Sequence, residues 1–402
     1  MIKAIKNRTL PRGVWVLGLV SMFMDISSEM IHSLLPVFLV SVLGASMVSV
    51  GIIEGAGEAL TLITKMFSGA LSDFTGKRKP LAILGYGLST LTKPIFAIAT
   101  SVGWVMSARF VDRIGKGIRG APRDALVSDI TPSKLRGAGY GLRQSLDTIG
   151  AVAGPLLALA LMVILSNDIR AVFLFAVIPA CIAVGLLWLG VKEKSTQKQS
   201  IKSNTSMSVS IIKQFDLGFW WVVLIGAVLT LAQFSEAFLI LRAEDIGLSI
   251  TMIPIVLIVM NISYALSAYP AGILSDKWSR RNVIAIGVIV LIMSDIILAI
   301  ATSIWQVMIG VILWGLYMGL THGVLAALVA DNSPANLRGT AFGIFYLMSG
   351  FTLLFASILA GWLWDKYGAP ATFIAGAFFA AIALFGLLTV RTPKHSGNEN
   401  IM

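Results

Sequence analysis

Residues 69–78, Gly69-Ala-Leu-Ser-Asp73-Phe-Thr-Gly76-Lys77-Arg78, return as Gly272-Ile-Leu-Ser-Asp276-Lys-Trp-Ser-Arg280-Arg281, 203 positions further on. A second stretch, Val127-Ser-Asp129-Ile-Thr-Pro132-Ser-Lys-Leu135-Arg136-Gly137, returns as Val329-Ala-Asp331-Asn-Ser-Pro334-Ala-Asn-Leu337-Arg338-Gly339, 202 positions on. Two unrelated stretches share one offset, and that offset is half of the 402 residues, so the chain reads as two copies of one unit. Both stretches are polar islands between long apolar runs.

Those runs dominate the composition, with 57% hydrophobic residues, 13% charged residues and a mean hydropathy of +0.87. Soluble domains carry about 25% charged residues, so an ordinary water-soluble protein is excluded. Disorder and a disulfide-stapled scaffold are excluded as well, since Cys181 is the single cysteine and lies in an apolar run. A bilayer accepts helices of about 20 apolar residues, because no water is present to satisfy a free backbone. Twelve spans are expected, at 14–41, 47–70, 80–100, 104–128, 138–165, 170–190, 217–241, 251–274, 282–302, 304–329, 339–362 and 371–390. The fold class is therefore an all-α membrane protein. Six spans plus six, both sets starting on one side, form two six-helix bundles related by a pseudo-two-fold axis along the membrane normal. The expected units are an N-terminal bundle at 1–190, a polar linker at 191–215 and a C-terminal bundle at 216–402.

The net charge of +11 is a topology signal and not a nucleic-acid footprint. Most of the 31 basic residues lie in the termini and in the loops on the same side as the termini, among them Lys77, Arg78, Lys79, Lys277, Arg280 and Arg281. Only Arg170, Arg242 and Lys366 fall on the opposite side. The positive-inside rule then places both termini in the cytoplasm, in a cell's inner membrane. No cleavable leader is expected, because the first apolar segment has full span length. Trp220 and Trp221 read as interfacial anchors.

The pattern Gly69-x-Leu-Ser-Asp73-x-x-Gly76-Lys77-Arg78 between spans two and three resembles the loop signature of the major facilitator superfamily, and its partial copy carries Asp276 and Arg280. The resemblance covers the whole chain. It implies two bundles rocking about a central cavity lined by spans 1, 4, 7 and 10, with the loop motif as a latch on one face. Asp73 would then lie against a neighbouring helix N-terminus and a basic partner. In span five, Gly141, Gly150, Gly154 and Pro155 are similar to the motif of proton-coupled antiporters in that superfamily, with Ala158 where a further glycine is usual. Small residues permit close helix approach, and a proline loosens one turn, so this segment reads as a bending interface.

Ionisable residues inside spans are expensive, and they usually face a cavity or a partner. Span 1 carries Asp25, Glu29 and His32 on one stripe; span 2 carries Glu54, Glu58 and Lys65. In span 4, Arg109, Asp112, Arg113, Lys116, Arg119 and Arg123 fall within about a third of the circumference. Span 5 adds Arg143 and Asp147, whereas the second half has only Glu236, Asp295 and His322 at depth.

Three readings of these charges stand together: structural pairing, proton coupling through Asp25, Glu29, Glu54 and Glu58, and binding of an anionic or zwitterionic solute by Arg109, Arg113 and Lys116. His32, Glu236, Trp314, Tyr317 and His322 complete the candidate binding set. His32 with Asp25 and Glu29 also admits a divalent-metal reading. Nearby basic residues oppose it, so no metal is expected.

No G-x4-G-K-[ST], G-x-S-x-G, H-E-x-x-H or paired C-x-x-C occurs, so neither ATP-driven transport nor enzymatic chemistry has a recognisable basis and no cofactor is expected. The reading is a monomeric secondary active transporter that moves a small organic solute by alternating access, with protons as the coupling ion and export as the direction. Two alternatives remain: proton-coupled uptake of an anion (a carboxylate, phosphorylated metabolite or siderophore), and a non-transporting membrane receptor or partner.

Overall fold

Local chemistry at the helix ends sets the register of this chain. In the computed structural model, which describes residues 10–132, 135–191, 214–334 and 337–389 without the side chains of Asp73 and Asp276, twelve long helices follow one another. They are α1 Arg12–Val42, α2 Met47–Thr75, α3 Arg78–Ile98, α4 Val102–Ile130, α5 Arg136–Ile164 and α6 Ile169–Gly190 in the first half. The second half contributes α7 Leu217–Asp245, α8 Ile255–Lys277, α9 Arg280–Ile300, α10 Ile304–Asp331, α11 Arg338–Tyr367 and α12 Ala369–Thr389. Ser46, Asp216 and Ser279 accept from backbone N–H groups in the first turns of α2, α7 and α9. Gly76 closes α2 at φ 64°, a left-handed conformation in which a side chain would be strained.

Eleven of these helices are apolar and long enough to cross a membrane on composition alone. The other is α4, which falls short because it carries the basic stripe. Its burial is provided by protein: α4 packs between α2 and α3. The same arrangement recurs in the second half, where α10 packs against α8 and α9. Two further pairings cross between the bundles, α2 with α11 and α5 with α8, and the pseudo-two-fold axis exchanges one for the other.

The two faces of the molecule differ. On the side of the termini each bundle has its own apolar core: Val14, Leu17, Tyr86, Val127 and Leu187 in the first, Phe219, Val223, Val329 and Ala341 in the second. On the far side one core runs through both bundles and joins Phe38, Ile53 and Phe173 to Phe238, Leu257 and Trp364. The α2–α11 seam tapers accordingly. A Cβ added at Gly51 would overlap the Ser357 carbonyl, and one at Gly55 would lie 2.9 Å from Leu354 Cα. Towards the termini the clearances grow, to 3.3 Å between Gly350 and Leu62 and 4.0 Å between Gly343 and Met66. The bundles are closed on the far side and splayed on the side of the termini.

Polar contacts reinforce that closure. Asp365 of α11 accepts from the backbone N–H groups of Met47 and Val48 at the start of α2, both at 3.0 Å. A carboxylate there complements the positive end of the helix dipole. Ser41 donates to Glu244, and Thr251 donates to Asn167, each bond joining one bundle to the other. Arg170 and Arg242, expected as loop residues, are instead helix caps. Arg242 is buried and donates to the carbonyls of Leu298 and Ala301 at the end of α9, while Arg170 donates to Ala97 at the end of α3. Their positive charge neutralises helix C-termini, so they do not weaken the charge asymmetry between the two faces.

The repeated loop stretches also have a structural meaning. Arg78 Nη1 lies 2.5 Å from Asp129, and Arg280 Nη1 lies 2.7 Å from Asp331, one pair within each bundle. These pairs are related by 202 positions, so the 203-residue offset of the motif contains a one-residue slip in the α8–α9 turn. Lys79 donates to the carbonyls of Trp188 and Val191 at the end of α6, and Lys77 is exposed. Gly69 packs against Ala121 of α4. The expected partners of Asp73 and Asp276, and most of the 191–215 linker, lie outside the described residues.

Candidate functional site

A cavity of about 430 Å3 lies between the bundles, lined by Glu29, His32, Glu54, Glu58, Arg113 and Lys116 on one wall and Gln233, Glu236, Asn261 and His322 on the other. A second cavity of about 310 Å3 shares Glu29, Lys116, Ala151 and Asn261 with it and forms a vestibule towards the termini. Asp25, Lys65, Arg119, Arg123 and Asp147 line this vestibule.

Two local features position the first wall. Gly150 of α5 sits against Met22 and Asp25, where an added Cβ would be 2.7 Å from the Met22 carbonyl, and Gly154 fits against Ile26 and Glu29 in the same way. Glycines at these two positions therefore let α1 bring its acidic stripe against α5. Pro155 is buried behind them, whereas Gly141 is exposed and has nothing within 4 Å, so close approach does not require it. On α2, Thr61 donates to the Arg113 carbonyl of α4 and holds those two helices in register.

Most of the charges are paired. Glu54 Oε2 accepts from Arg109 Nη2 at 2.6 Å, and Arg113 Nη1 lies 2.8 Å from Glu58. His32 sits between two carboxylates, its Nδ1 3.4 Å from Glu29 and its Nε2 3.7 Å from Glu54. Behind this wall Lys93 donates to Asp112 at 3.0 Å, both side chains buried. In the vestibule Arg119 donates to Ser89, Arg123 donates to Ser21, and Asp147 pairs with Arg143. Four charged groups facing the two cavities stand apart: among the described residues the side chains of Asp25, Lys65, Lys116 and Glu236 make no ion pair or hydrogen bond, and of these only Lys116 and Glu236 line the larger cavity.

The second wall is built on a break in α7. Its first segment ends at Ala232 and its second starts at Ala237, leaving Gln233 to Glu236 between them. The break is anchored: Tyr317 donates to Gln233 at 3.2 Å, His322 lies 3.1 Å from the Gln233 amide nitrogen, and Ser235 donates its backbone N–H to Ser357. Irregular backbone at membrane depth is tolerated where it lines such a cavity.

Of the expected residues, Glu29, His32, Glu54, Glu58, Arg113, Lys116, Glu236 and His322 converge on the cavity, and Asp25 on its vestibule. Arg109, Trp314 and Tyr317 do not line it. Arg109 is buried behind Glu54, and Trp314 is wholly buried against Phe234 and Tyr317. Asn261 was not anticipated, although a lone asparagine within span eight meets the same criterion of a polar group at depth; it donates to the Ala151 carbonyl across the bundle interface. Among the described residues no group of three or more His, Cys, Asp or Glu side chains is arranged to hold a metal ion.

The model of the Major Facilitator Superfamily matches residues 17–241 and again 223–401. An uncharacterized MFS-type transporter of Methanocaldococcus jannaschii is 36% identical over 391 residues, covering 95% of each chain. The inner membrane transport protein YajR of Escherichia coli is 25% identical, over 97% of this chain and 86% of its own. The class H tetracycline resistance protein of Pasteurella multocida is 26% identical, over 72% of this chain and 74% of its own. Among solved structures, the nucleoside transporter NupG matches with a TM-score of 0.76 at 14% identity, over 94% of this chain and 98% of its own. A bacterial homolog of the human lysosomal transporter Spinster matches with a TM-score of 0.75 at 16% identity, over 93% and 95%. A family model covering both halves, a relative alike from end to end, and a charged cavity between two repeated bundles lead to one conclusion: the chain belongs to the major facilitator superfamily and is a multi-pass membrane transporter.

Proposed function

We propose that this transporter is a monomeric, proton-coupled exporter of a small organic solute, working by alternating access in a cell's inner membrane with both termini in the cytoplasm. The N-terminal bundle, the 191–215 linker and the C-terminal bundle are its working units. The observation that carries the coupling is Asp25, a carboxylate that faces the vestibule without a partner. It is ringed by Lys116, Arg119 and Arg123 of α4, Lys65 of α2, Asp147 of α5 and Glu29 of its own helix, with Tyr264 of α8 opposite. A carboxylate in such a ring changes the local charge balance each time it gains or loses a proton.

Ionised Asp25 draws the α4 cations towards α1, and protonated Asp25 releases them. Glu54 and Glu58 are held by Arg109 and Arg113, which supports a bracing role for them and leaves proton exchange to Asp25, with Glu29 and His32 as the adjoining relay. The packing of Gly150 against Asp25 links this site to the bending interface of α5 and supports antiport. The similarity to a tetracycline resistance protein agrees with export. Arg78, Lys79 and Arg280 brace helix ends in the splayed state, which fits the motif as a part of the mechanism that must release when that face closes.

The basic lining of the vestibule, from Lys65 to Arg123, favours proton-coupled uptake of an anion as the second reading. Flux in proteoliposomes with an internal pH dye separates the two. Under the export reading, solute and protons move in opposite directions, the flux depends on pH, and Asp25→Asn removes that dependence while the protein still folds. Solute and protons moving together would establish uptake. Wild-type pH dependence in Asp25→Asn would remove Asp25 from the coupling role. Absence of flux with every solute would support a receptor or partner protein.

A further inference from the structure

Resting on the transport reading above, we infer that the solute is a zwitterion, bound with its anionic group on Lys116 of α4 and its cationic group on Glu236 at the α7 break. The argument is an accounting of charge in the cavity. Glu58 has Arg113, Glu54 has Arg109 and His32, and Glu29 has His32. His322 is engaged by Gln233. Two charged side chains of this cavity are left with no ion pair or hydrogen bond among the described residues, one of each sign, and they lie on opposite bundles. In the splayed state water reaches both groups. When the bundles close over the cavity that water is lost, and an unpaired charge at membrane depth becomes costly.

A solute with one charge relieves one group and strands the other. A zwitterion relieves both and, in doing so, ties the first bundle to the second, so its binding favours the closed arrangement over the splayed one. A solute shifts a conformational equilibrium only through such a difference in affinity between the states. The geometry of the break supports a fixed site: Gln233 is held by Tyr317 and His322, and Ser235 is held by Ser357, so Glu236 is presented from an anchored segment. Asn261 and Ser349 add neutral polar groups to the lining of the same cavity.

The test is binding to the purified full-length protein, read by thermal shift, and it requires no transport. The probes are phenylalanine, alanyl-phenylalanine and alanyl-alanyl-phenylalanine, which place the two charges progressively further apart. Each is compared with its C-terminal amide, which keeps only the cation, and its N-acetyl derivative, which keeps only the anion. The expected result is a saturable shift with at least one zwitterion and binding weaker by about tenfold or more for both of its singly charged derivatives. Lys116→Gln, which no longer has a use for the carboxylate, should bind the zwitterion and its amide alike. Glu236→Gln should bind the zwitterion and its N-acetyl derivative alike. Both variants remove a charge that has no partner in the structure, and an unchanged melting temperature without ligand shows that they fold.

A singly charged derivative that binds wild type as tightly as its zwitterion overturns the assignment, as does the absence of a saturable shift with all three zwitterions. Zwitterion-selective binding by a protein that carries no flux would sink the transport reading and leave this site standing. Proton-linked flux confined to singly charged solutes would do the reverse.

Discussion

Lys93 and Asp112 form a deeply buried ion pair, at 1% and 5% side-chain exposure, and they show what most of the intramembrane charge is for. The pair lies behind the cavity wall and ties α3 to α4. Removing one member of such a pair strands the other, which typically costs about 3–5 kcal/mol, while replacing both by apolar residues is close to neutral. Asp112→Leu is therefore expected to lower thermal stability in detergent by an amount in that range, and Lys93→Met/Asp112→Leu to recover most of it. Equal losses in the single and double variants would show that the pair contributes nothing by being a pair. The pseudo-two-fold axis relates Lys93 to Asp295, and Asp112 to Trp314. Asp295 is fully buried with neither carboxyl oxygen hydrogen-bonded, and the Trp314 indole N–H is also without a partner. The ion pair of the first bundle has no counterpart in the second.

Helices α2 and α11 carry the conformational information. Their seam is tight at Gly51 and loosens towards Gly343, and Asp365 of α11 accepts the first two N–H groups of α2, adding a cap from the other bundle to the local one from Ser46. A carboxylate at a helix N-terminus is worth about 0.3–1 kcal/mol when exposed, equivalent to a shift of about twofold to fivefold in the balance between closed and open far sides. Asp365→Ala is expected to raise, by that factor, the rate at which a membrane-impermeant maleimide applied to the far side labels Ser235→Cys at the α7 break. The measurement needs a Cys181→Ser background, since Cys181 is exposed. An unchanged rate would mean that the apolar core on that side holds the closure without the cap.

For the molecule as a whole, alternating access requires the single core of the far side to divide into two. Ser41 of α1 and Glu244 of α7 touch across that division. In the same cysteine-free background, Ser41→Cys/Glu244→Cys is expected to form a disulfide on oxidation, to stop flux almost completely and to regain it on reduction. Flux persisting in fully cross-linked protein would show that the far side need not open at this point, and rocking of the bundles would have to be abandoned. The splayed face and the closed face also differ in charge, because the loop basics cluster at the former. That asymmetry is the basis of the proposed cytoplasmic placement of the termini.

Span number, the duplicated half, the two-bundle architecture and the concentration of charge in the first bundle were all legible in the sequence. Each follows from transfer free energies and spacings that act along one chain, residue by residue, and membrane insertion reads them in that order. Helical period puts Glu29 and His32 on one face of span 1 and Lys116 on the basic face of span 4, but only the resemblance to the superfamily turned those two faces towards a shared cavity, and it gave no such place to Glu58 of span 2. The tertiary structure decided which charges cancel. Arg109 and Arg113, expected to meet a solute, are held by Glu54 and Glu58, while Asp25, Lys65, Lys116 and Glu236 are left over among the described residues. The break in α7 was decided there too, since Gln233-Phe-Ser-Glu236 contains no proline or glycine and is opened by partners on α10 and α11. Coulomb and hydrogen-bond energies depend on distances of a few ångströms between helices, and those distances are set by how glycine-lined faces such as Gly150 and Gly154 dock, which no one-dimensional pattern contains.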